Sequence, residues 1–264
     1  MVRRLFIFAA YDKDNIIDNA LMFYLCALGK IGDIVFVMDN DLPKDQLDLV
    51  ASLPNVLYAN AERHGEYDFG SYKRGFAWAK DDDILGKYDW VYFVNDSVYG
   101  PIGKLEDILN RLENSGRAFV GMLENSDKGV ARHVQSWFMG IDRNLVMHAA
   151  VHEFWGRISK LENKNQICIQ YEVGFSELIK NLGYDLVTVF AQCNYKSNVI
   201  YRQPYRALRH GVPFIKKSAL KNMFNFDFVA KCVRNNKLFD AIKNSAGRNN
   251  IQFRRQGFLK RLFR

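Results

Sequence analysis

Three polar residues, Asn95, Asp96 and Ser97, follow directly on an apolar run at residues 88–94. A carboxylate flanked by an amide and a hydroxyl can bind Mg²⁺ or Mn²⁺, and such an ion neutralises the negative charge of a departing diphosphate. The same residue types are common in turns, so these residues could instead cap the turn before Pro101. The spacing therefore indicates either a cation-assisted phosphate site or an ordinary strand-end turn.

Glu172 is the candidate general base, because it opens a helix predicted over residues 172–182 and stands among aromatic residues. Partial burial at that position would raise the pKa of the carboxyl group and make it a better proton acceptor. An acidic residue in a first helical turn also complements the helix dipole, and this structural role stays open. Glu124 and Asp127, after a predicted strand, are rival bases.

The elements that must position these residues are apolar runs of strand length alternating with helical patterns. Strands are predicted at residues 4–10, 33–39, 56–60, 88–94, 119–123, 135–141 and 185–190. Helices are predicted through residues 21–28, 43–53, 105–114, 145–159 and 172–182, and Ser71 is the predicted N-cap of another. This order predicts an α/β fold with a central, mostly parallel sheet flanked by helices, and functional residues just after the strands.

The chain has 264 residues, of which 48% are hydrophobic, so it can bury one sizeable core. We expect a main domain over residues 1–200 and a basic helical C-terminal segment over residues 201–264. Apolar stretches long enough to cross a bilayer or to form a signal peptide are absent, which favours a cytoplasmic location. The four cysteines are far apart in sequence, which favours free thiols over a zinc site or disulfides.

Positive charge is concentrated near the C-terminus, where residues 202–264 contain 16 lysines and arginines but 2 acidic residues. Phe258, Leu259, Leu262 and Phe263 fall on one helical face of this segment, with basic residues on the flanks. The pattern is typical of an interfacial helix on an anionic membrane, or of a packed helix with a basic outer face. Nucleic acid is the alternative polyanion, but the net negative charge of the preceding residues would repel it.

Several short motifs occur together in one order along residues 3–217. They are YDFGSYKRG at 67–75, NDSVYGP at 95–101, HVQSWF at 133–138, FW at 154–155, YEVG at 171–174 and GVPFIK at 211–216. In this series the chain resembles the rhamnan synthesis protein F family of glycosyltransferases. The resemblance implies a GT-A-like nucleotide-binding fold, with an Asp-x-Asp motif that binds a metal ion and the diphosphate of the donor.

The implied donor site departs from that motif, since Asn95 and Ser97 stand at its first and third positions and Asp96 is the lone carboxylate. A Mg²⁺ or Mn²⁺ cofactor is therefore expected from the resemblance, but the sequence leaves metal dependence open. The resemblance also places Asp68, Gly70 and Lys73 against the nucleotide. A glycine permits close backbone approach, and a helix N-terminus and a lysine both favour phosphate.

Other residues of these motifs are candidates for sugar and phosphate contacts. His133, Gln135 and Ser136 would bind sugar hydroxyls, and Trp137 or Trp155 would offer a flat face to a pyranose ring unless they only pack in the core. Lys216 and Lys217 would fold over the donor phosphates. His210 would do the same or join Asp96 at the metal, although solvated positions are the alternative for all three.

The function expected from these observations is transfer of a sugar, with rhamnose from dTDP-rhamnose as the candidate, to a growing lipid-linked polysaccharide of the cell surface. The family expectation is an inverting reaction at the inner face of the plasma membrane, as in the synthesis of O-antigen lipopolysaccharide or cell-wall rhamnan. The alternatives are a nucleic-acid-binding protein that uses the basic segment and an inactive relative that serves as an assembly partner.

Overall fold

A computed structural model of the chain describes residues 2–126, 130–191, 199–221, 228 and 231–249. The strands are β1 (Arg4–Ala10), β2 (Asp33–Met38), β3 (Val56–Ala61), β4 (Trp90–Asn95), β5 (Val98–Tyr99), β6 (Phe119–Asn125), β7 (His133–Val134), β8 (Phe138–Asp142), β9 (Leu186–Ala191) and β10 (Ile215–Lys216).

The α-helices lie between these strands and after them. They are α1 (Asn19–Leu28), α2 (Lys44–Ala51), α3 (Tyr67–Asp81), α4 (Leu105–Glu113), α5 (Arg143–Val146), α6 (Ala149–Gly156), α7 (Lys164–Ile167), α8 (Gly174–Asn181), α9 (Val199–Arg202), α10 (Pro204–Arg209) and α11 (Asn236–Arg248). A π-helical turn, Cys168–Val173, joins α7 to α8, and 3₁₀ turns occupy Leu85–Lys87 and Lys217–Lys221. Among the described helices, none combines the length and the apolar character needed to cross a bilayer.

The main sheet has β1 and β4 near its middle, because both strands are apolar on both faces. Its order is β3-β2-β1-β4-β8-β6-β7, and β9 pairs with β6. The pairs β3–β2, β2–β1, β1–β4 and β6–β9 are parallel, whereas β8 runs antiparallel to both β4 and β6. All residues of β1 and β4 are buried, as a strand covered by helices on both faces requires. The predicted α/β fold with a mostly parallel sheet flanked by helices is therefore confirmed.

The start of α3 differs from the sequence prediction. The helix begins at Tyr67, with Glu66 as its N-cap residue, so the prediction that Ser71 caps the helix is wrong. Ser71 lies inside the helix and is buried, and its Oγ is 3.0 Å from Nε2 of His64. The backbone therefore turns into the helix one turn earlier than predicted, which brings Asp68 rather than Lys73 to the first turn.

A second, two-stranded sheet extends the fold beyond the end of β4. Strand β10 pairs antiparallel with β5, with Ile215 opposite Tyr99 and Lys216 opposite Val98. Helix α11 packs against α1, and the Tyr99 hydroxyl donates a 3.1 Å hydrogen bond to Ser245 of that helix. These contacts attach basic C-terminal residues to the same edge of the sheet at which β1 and β4 end. The proposed domain boundary at residue 200 stays a prediction, and residues 258–263 lie outside the described part of the chain.

A buried ion pair links β1 to α4. The guanidinium of Arg4 donates two 2.6 Å hydrogen bonds to the carboxylate of Glu113, and their side chains are 2% and 3% exposed. Asn110 accepts a further bond from Arg4, and the hydroxyl of Tyr92 donates to Glu113 at 2.8 Å. Each buried charge therefore has the partners that it needs to offset its lost hydration.

We predict that Arg4→Met lowers the free energy of unfolding by about 3–5 kcal/mol, because it leaves the Glu113 carboxylate buried without its counter-charge. The measurement is urea unfolding followed by circular dichroism. The double variant Arg4→Met/Glu113→Leu should regain part of the loss, since both charges are then gone.

The matched control is Lys44→Ala, which breaks the exposed pair between Lys44 and Asp48 on α2. That change should cost less than about 1 kcal/mol, since solvent screens exposed pairs. Equal stability of Arg4→Met and the wild-type protein would contradict the assignment of the Arg4–Glu113 pair as a buried structural contact.

Candidate functional site

A cleft of about 940 Å³ opens at the edge of the sheet where β1, β2, β4 and β6 end. Ala10 and Asn125 line it at the ends of β1 and β6, Asp39 follows β2, and Asn95 closes β4. Residues of α3, of the π-helical turn, of β10 and of α11 complete the walls. Polar residues at the carboxyl ends of the strands therefore converge on one space, as predicted from the strand order.

The loop after β4 is held by hydrogen bonds of its own and of its neighbours. The backbone N–H of Asn95 donates to the carbonyl of Trp137 at 3.1 Å, and that of Asp96 donates to the carbonyl of Ala9 at 3.1 Å. The side-chain oxygen of Asn95 accepts from the backbone N–H of Ser97 and from its hydroxyl. These bonds satisfy polar groups of the turn and leave the Asp96 carboxylate on the cleft wall. Residues 95–97 therefore both form the turn and line the cleft.

Asp68, in the first turn of α3, faces the same loop across the cleft. Its Oδ2 accepts a 2.7 Å hydrogen bond from the side-chain amide of Asn95. Burial, together with the negative charge of Asp96, raises the pKa of Asp68 to about 6. Two carboxylates thus share this end of the cleft, and one of them titrates close to neutral pH.

Lys216 and Lys217 bring positive charge to these carboxylates. Lys217 Nζ lies 2.9 Å from Oδ2 of Asp96, and Lys216 Nζ donates to the hydroxyl of Ser97 at 2.7 Å. Burial lowers the pKa of Lys216 to about 8. Burial opposes the charge of Lys217 as well, but the carboxylates of Asp96 and Asp18 outweigh it and raise the pKa of Lys217. The two predicted lysines therefore both lie at the cleft.

Glu172 lies on the π-helical turn at the other side of the cleft. One of its oxygens, Oε2, accepts from the backbone N–H of Ser136 at 2.7 Å and from the Ser136 hydroxyl. The other, Oε1, is 3.4 Å from Nε2 of His133. Burial alone would raise the pKa of Glu172, but these hydrogen bonds outweigh it and lower the pKa. The predicted rise was wrong, because the site supplies donors to the charged form.

His133, Cys168 and Glu172 could together hold a metal ion, since one ligand atom from each lies within 4.8 Å of the others. In the structure these residues form a hydrogen-bonded network. The Cys168 thiol donates to Oε1 of Glu172 at 3.5 Å, and Nδ1 of His133 is 2.7 Å from the carbonyl of Ala131. Burial and the adjacent carboxylate raise the pKa of Cys168 to about 11, so the thiol keeps its proton. The network orients Glu172.

A third part of the cleft, near the end of β2, is built around Asp39. This buried carboxylate accepts hydrogen bonds from the backbone N–H groups of His64 and Gly65, at 2.8 and 2.9 Å. The guanidinium of Arg63 lies 5.1 Å from the centre of the Tyr11 ring, and both side chains are exposed on the cleft wall. A strand that ends in a carboxylate was visible in the sequence, but the aromatic and cationic pair was not.

Arg248, at the end of α11, reaches the loop between β1 and α1. Its guanidinium donates to Asp12 at 2.8 Å, to Asp14 at 3.1 Å and to Asp18 at 2.7 Å. Sequence reasoning missed this clamp, and no local signal could have found it, because Arg248 and Asp12 are 236 residues apart. The clamp anchors the C-terminal helix at the cleft.

Ten of the predicted site residues line the cleft. They are Asp68, Asn95, Asp96, Ser97, Gln135, Ser136, Trp137, Glu172, Lys216 and Lys217. Gly70 and Lys73 do not. A Cβ at Gly70 would lie 2.3 Å from Cβ of Glu66 and 2.8 Å from the His64 ring, so this glycine permits packing within the fold rather than approach of a nucleotide. Lys73 donates to the carbonyl of Ile158 at 2.7 Å.

Three further predicted residues also lie away from the cleft. Trp155 is buried in an aromatic cluster, with its ring centre 4.3 Å from that of Phe93, so it packs and offers no face to a sugar. His210 stacks on Phe190 and does not join Asp96 in a metal site. His133 is buried behind Glu172 and orients it. Of the rival bases, Glu124 pairs with Arg132, and Asp127 lies outside the described residues.

Comparison with known proteins adds to this geometry. Residues 34–249 match the family described as rhamnan synthesis protein F. An uncharacterized protein of Sinorhizobium fredii, y4gN, is 25% identical over 188 residues, which are 66% of this chain and 49% of the relative. The chain thus spans about half the length of that relative.

Solved structures give more distant similarities. The glycosyltransferase GlyE of Streptococcus pneumoniae TIGR4 is 12% identical, with a TM-score of 0.45 over 97% of this chain and 66% of GlyE. A glycosyltransferase involved in glycosylation of the major capsid of PBCV-1 is 8% identical, with a TM-score of 0.43 over 82% of this chain and 93% of that one. Similarities of this size carry no argument by themselves. The sequence match covers most of the chain, and on that ground the chain belongs to the rhamnan synthesis protein F family.

Proposed function

We propose that the protein is a glycosyltransferase that moves a sugar from a nucleotide-sugar donor to a glycan acceptor. The observation that carries the proposal is the arrangement of charge in the cleft. Lys216 and Lys217 lie on one wall, where a diphosphate would sit, and the oriented carboxylate of Glu172 lies on another. Membership of the rhamnan synthesis protein F family supports the same reaction class and makes rhamnose, carried by dTDP, the candidate sugar.

The donor would lie along the ends of β1, β2 and β4. Its diphosphate would approach the two lysines, and Tyr11 and Arg63 at the rim would stack against the nucleobase. Asp68 would face the sugar, where a carboxyl group with a pKa near 6 can accept or donate a hydrogen bond. The volume of the cleft, about 940 Å³, is sufficient for a nucleotide sugar.

The acceptor would approach Glu172, which is 17% exposed and so reachable from the cleft. In an inverting transfer, the acceptor oxygen forms the new bond to the anomeric carbon while the bond to the diphosphate breaks. The bonding electron pair leaves with the diphosphate, and Glu172 takes the proton of the acceptor hydroxyl. A lowered pKa keeps Glu172 in the ionised form that can accept a proton at neutral pH, but it makes the carboxylate a weaker base than the raised pKa expected from the sequence would have done.

We predict that Glu172→Gln lowers kcat by about 10²–10⁴-fold and leaves the affinity for the donor within about twofold, because the amide cannot accept the proton. The assay is release of nucleoside diphosphate from a panel of nucleotide sugars in the presence of glycan acceptors. Donor affinity is measured separately by calorimetry.

The control for this change is Glu162→Gln, which alters an exposed carboxylate at the rim of the same cleft and should keep full activity. Full activity of Glu172→Gln would remove Glu172 as the base. If the wild-type protein released no product from any nucleotide sugar, an inactive assembly partner would be the better description.

The acceptor we propose is a lipid-linked polysaccharide at the inner face of the plasma membrane. The support is the charge of residues 202–264, which would attract anionic headgroups and hold the enzyme close to a lipid-bound acceptor. The apolar residues at 258–263 would add to binding if they enter the interface as a helix.

Binding to vesicles tests this proposal. The wild-type protein should sediment with vesicles that contain phosphatidylglycerol and not with neutral vesicles, and the bound fraction should fall as salt increases. A variant with four basic residues changed to glutamate should lose binding by about 10³-fold or more, since each basic residue contributes about 1 kcal/mol. The four residues are Arg254, Arg255, Lys260 and Arg261.

The matched control reverses four exposed lysines of the main fold, which are Lys30, Lys80, Lys87 and Lys104. It has the same net charge as the tail variant and should keep most of the vesicle binding. Equal loss in the two variants would show that net charge alone determines binding. Tighter binding to RNA or DNA than to vesicles would favour the nucleic-acid alternative.

A further inference from the structure

The loop after β4 does not have the donor set of a divalent metal site. Its one carboxylate, Asp96, is already paired with Lys217 Nζ at 2.9 Å. The side-chain oxygen of Asn95 accepts two hydrogen bonds from Ser97, and its amide group is a donor that faces Asp68. Hard divalent cations need several oxygen ligands that are free to bind them. A Mg²⁺ or Mn²⁺ ion expected from the Asp-x-Asp motif therefore does not fit these residues.

The lysines are fixed to the same loop by backbone pairing. Lys216 closes β10 and stands opposite Val98, and the backbone N–H of Lys217 donates to the carbonyl of Ser97 at 2.9 Å. Backbone pairing between β5 and β10 thus holds Lys216 and Lys217 in register with the loop after β4. Positive charge placed in this way needs no rearrangement when a ligand binds, which is the condition for strong electrostatic stabilisation.

The environment of Lys216 suits an anionic ligand. Lys216 is 8% exposed, and its Nζ lies 5.6 Å from the ring centres of both Trp137 and Tyr201. In the described part of the chain, the hydrogen-bond partner of Nζ is the neutral hydroxyl of Ser97. A buried ammonium group whose hydrogen-bond partner is neutral keeps its charge available for charge-assisted hydrogen bonds with a phosphate.

We infer that Lys216 and Lys217 together take the place of a divalent ion, so that donor binding and sugar transfer proceed without Mg²⁺ or Mn²⁺. Two ammonium groups carry the same charge of +2 as such an ion. During transfer, the electron pair of the breaking bond moves to the diphosphate oxygen, and the two lysines neutralise the charge that develops there. This inference rests on the proposed transferase function and names the cation that serves it.

The first test is calorimetric binding of UDP, dTDP and GDP to the full chain in EDTA and in Mn²⁺. We expect the nucleotide that binds to do so with equal affinity, within about twofold, in both conditions. Lys216→Met and Lys217→Met should each weaken binding by about tenfold or more and lower the transfer rate by about 10²-fold or more.

Lys221→Met is the control, because this exposed lysine lies in the same 3₁₀ turn as Lys217 but does not line the cleft. Its affinity and its thermal unfolding should match those of the wild-type protein. Binding that is lost in EDTA and restored by Mn²⁺, or unchanged affinity in both lysine variants, would overturn the inference. Absence of nucleotide binding in every condition would instead count against the transferase function itself.

The pH dependence of nucleotide binding distinguishes a direct contact of Lys216 with the ligand from a purely structural role of that residue. The charged groups that face Lys216 are Asp68, Glu172, Asp96 and Lys164, and burial lowers the pKa of Lys216 to about 8. Lys216 is a cation below that pKa and neutral above it. Affinity for the nucleoside diphosphate should therefore fall as pH rises from about 7 to about 9. Lys216→Met should flatten this fall, and an equally steep fall in the variant would contradict the role of Lys216.

Discussion

The ion pair between Lys217 and Asp96 joins two parts of the chain that are 121 residues apart in sequence. It connects the end of the buried strand β4 with the segment that follows β10, and the short β5–β10 ladder holds both sides in register. Because the pair is partly buried, with the two side chains 28% and 13% exposed, its attraction is less screened than that of a surface pair. The position of the cationic wall of the cleft follows from this contact.

Carboxylates lie on both sides of the cleft, with Asp68 and Asp96 near the two lysines and Glu172 on another wall. Glu172 is buried but receives hydrogen bonds from Ser136 and stands beside His133, which keeps its pKa low. Asp68 is buried beside another carboxylate, which raises its pKa to about 6. Burial is common to both residues, so the sign of the shift depends on whether the neighbours are donors or anions. The pKa of Glu172 is therefore lowered, whereas that of Asp68 is raised to about 6.

The sequence predicted seven of the eight strands of the main sheet to within a few residues and missed the two-residue strand β7. The central strands β1, β2 and β4 were predictable because they are continuous apolar runs with polar residues at their ends. It also predicted that Asn95, Asp96 and Ser97 would lie at the site, since parallel strands end at one edge. The helix start at Tyr67 was missed, and Lys73, which the resemblance placed against the nucleotide at the expected start of the helix, donates instead to the carbonyl of Ile158. The face of a helix that a residue occupies changes by 100° per position, so a shift of a few residues moves a side chain to a different environment.

The sequence by itself determined the order of the elements, the buried character of the central strands and the polar residues that follow them, because these are periodic patterns within short windows of chain. Only the tertiary structure decided which of these residues face one another. The pairing of Lys217 with Asp96, the clamp of Arg248 on Asp12 and the engagement of Glu172 by Ser136 all join distant segments. Such contacts depend on how helices and strands pack in three dimensions, and a local pattern of residues carries no information about that packing.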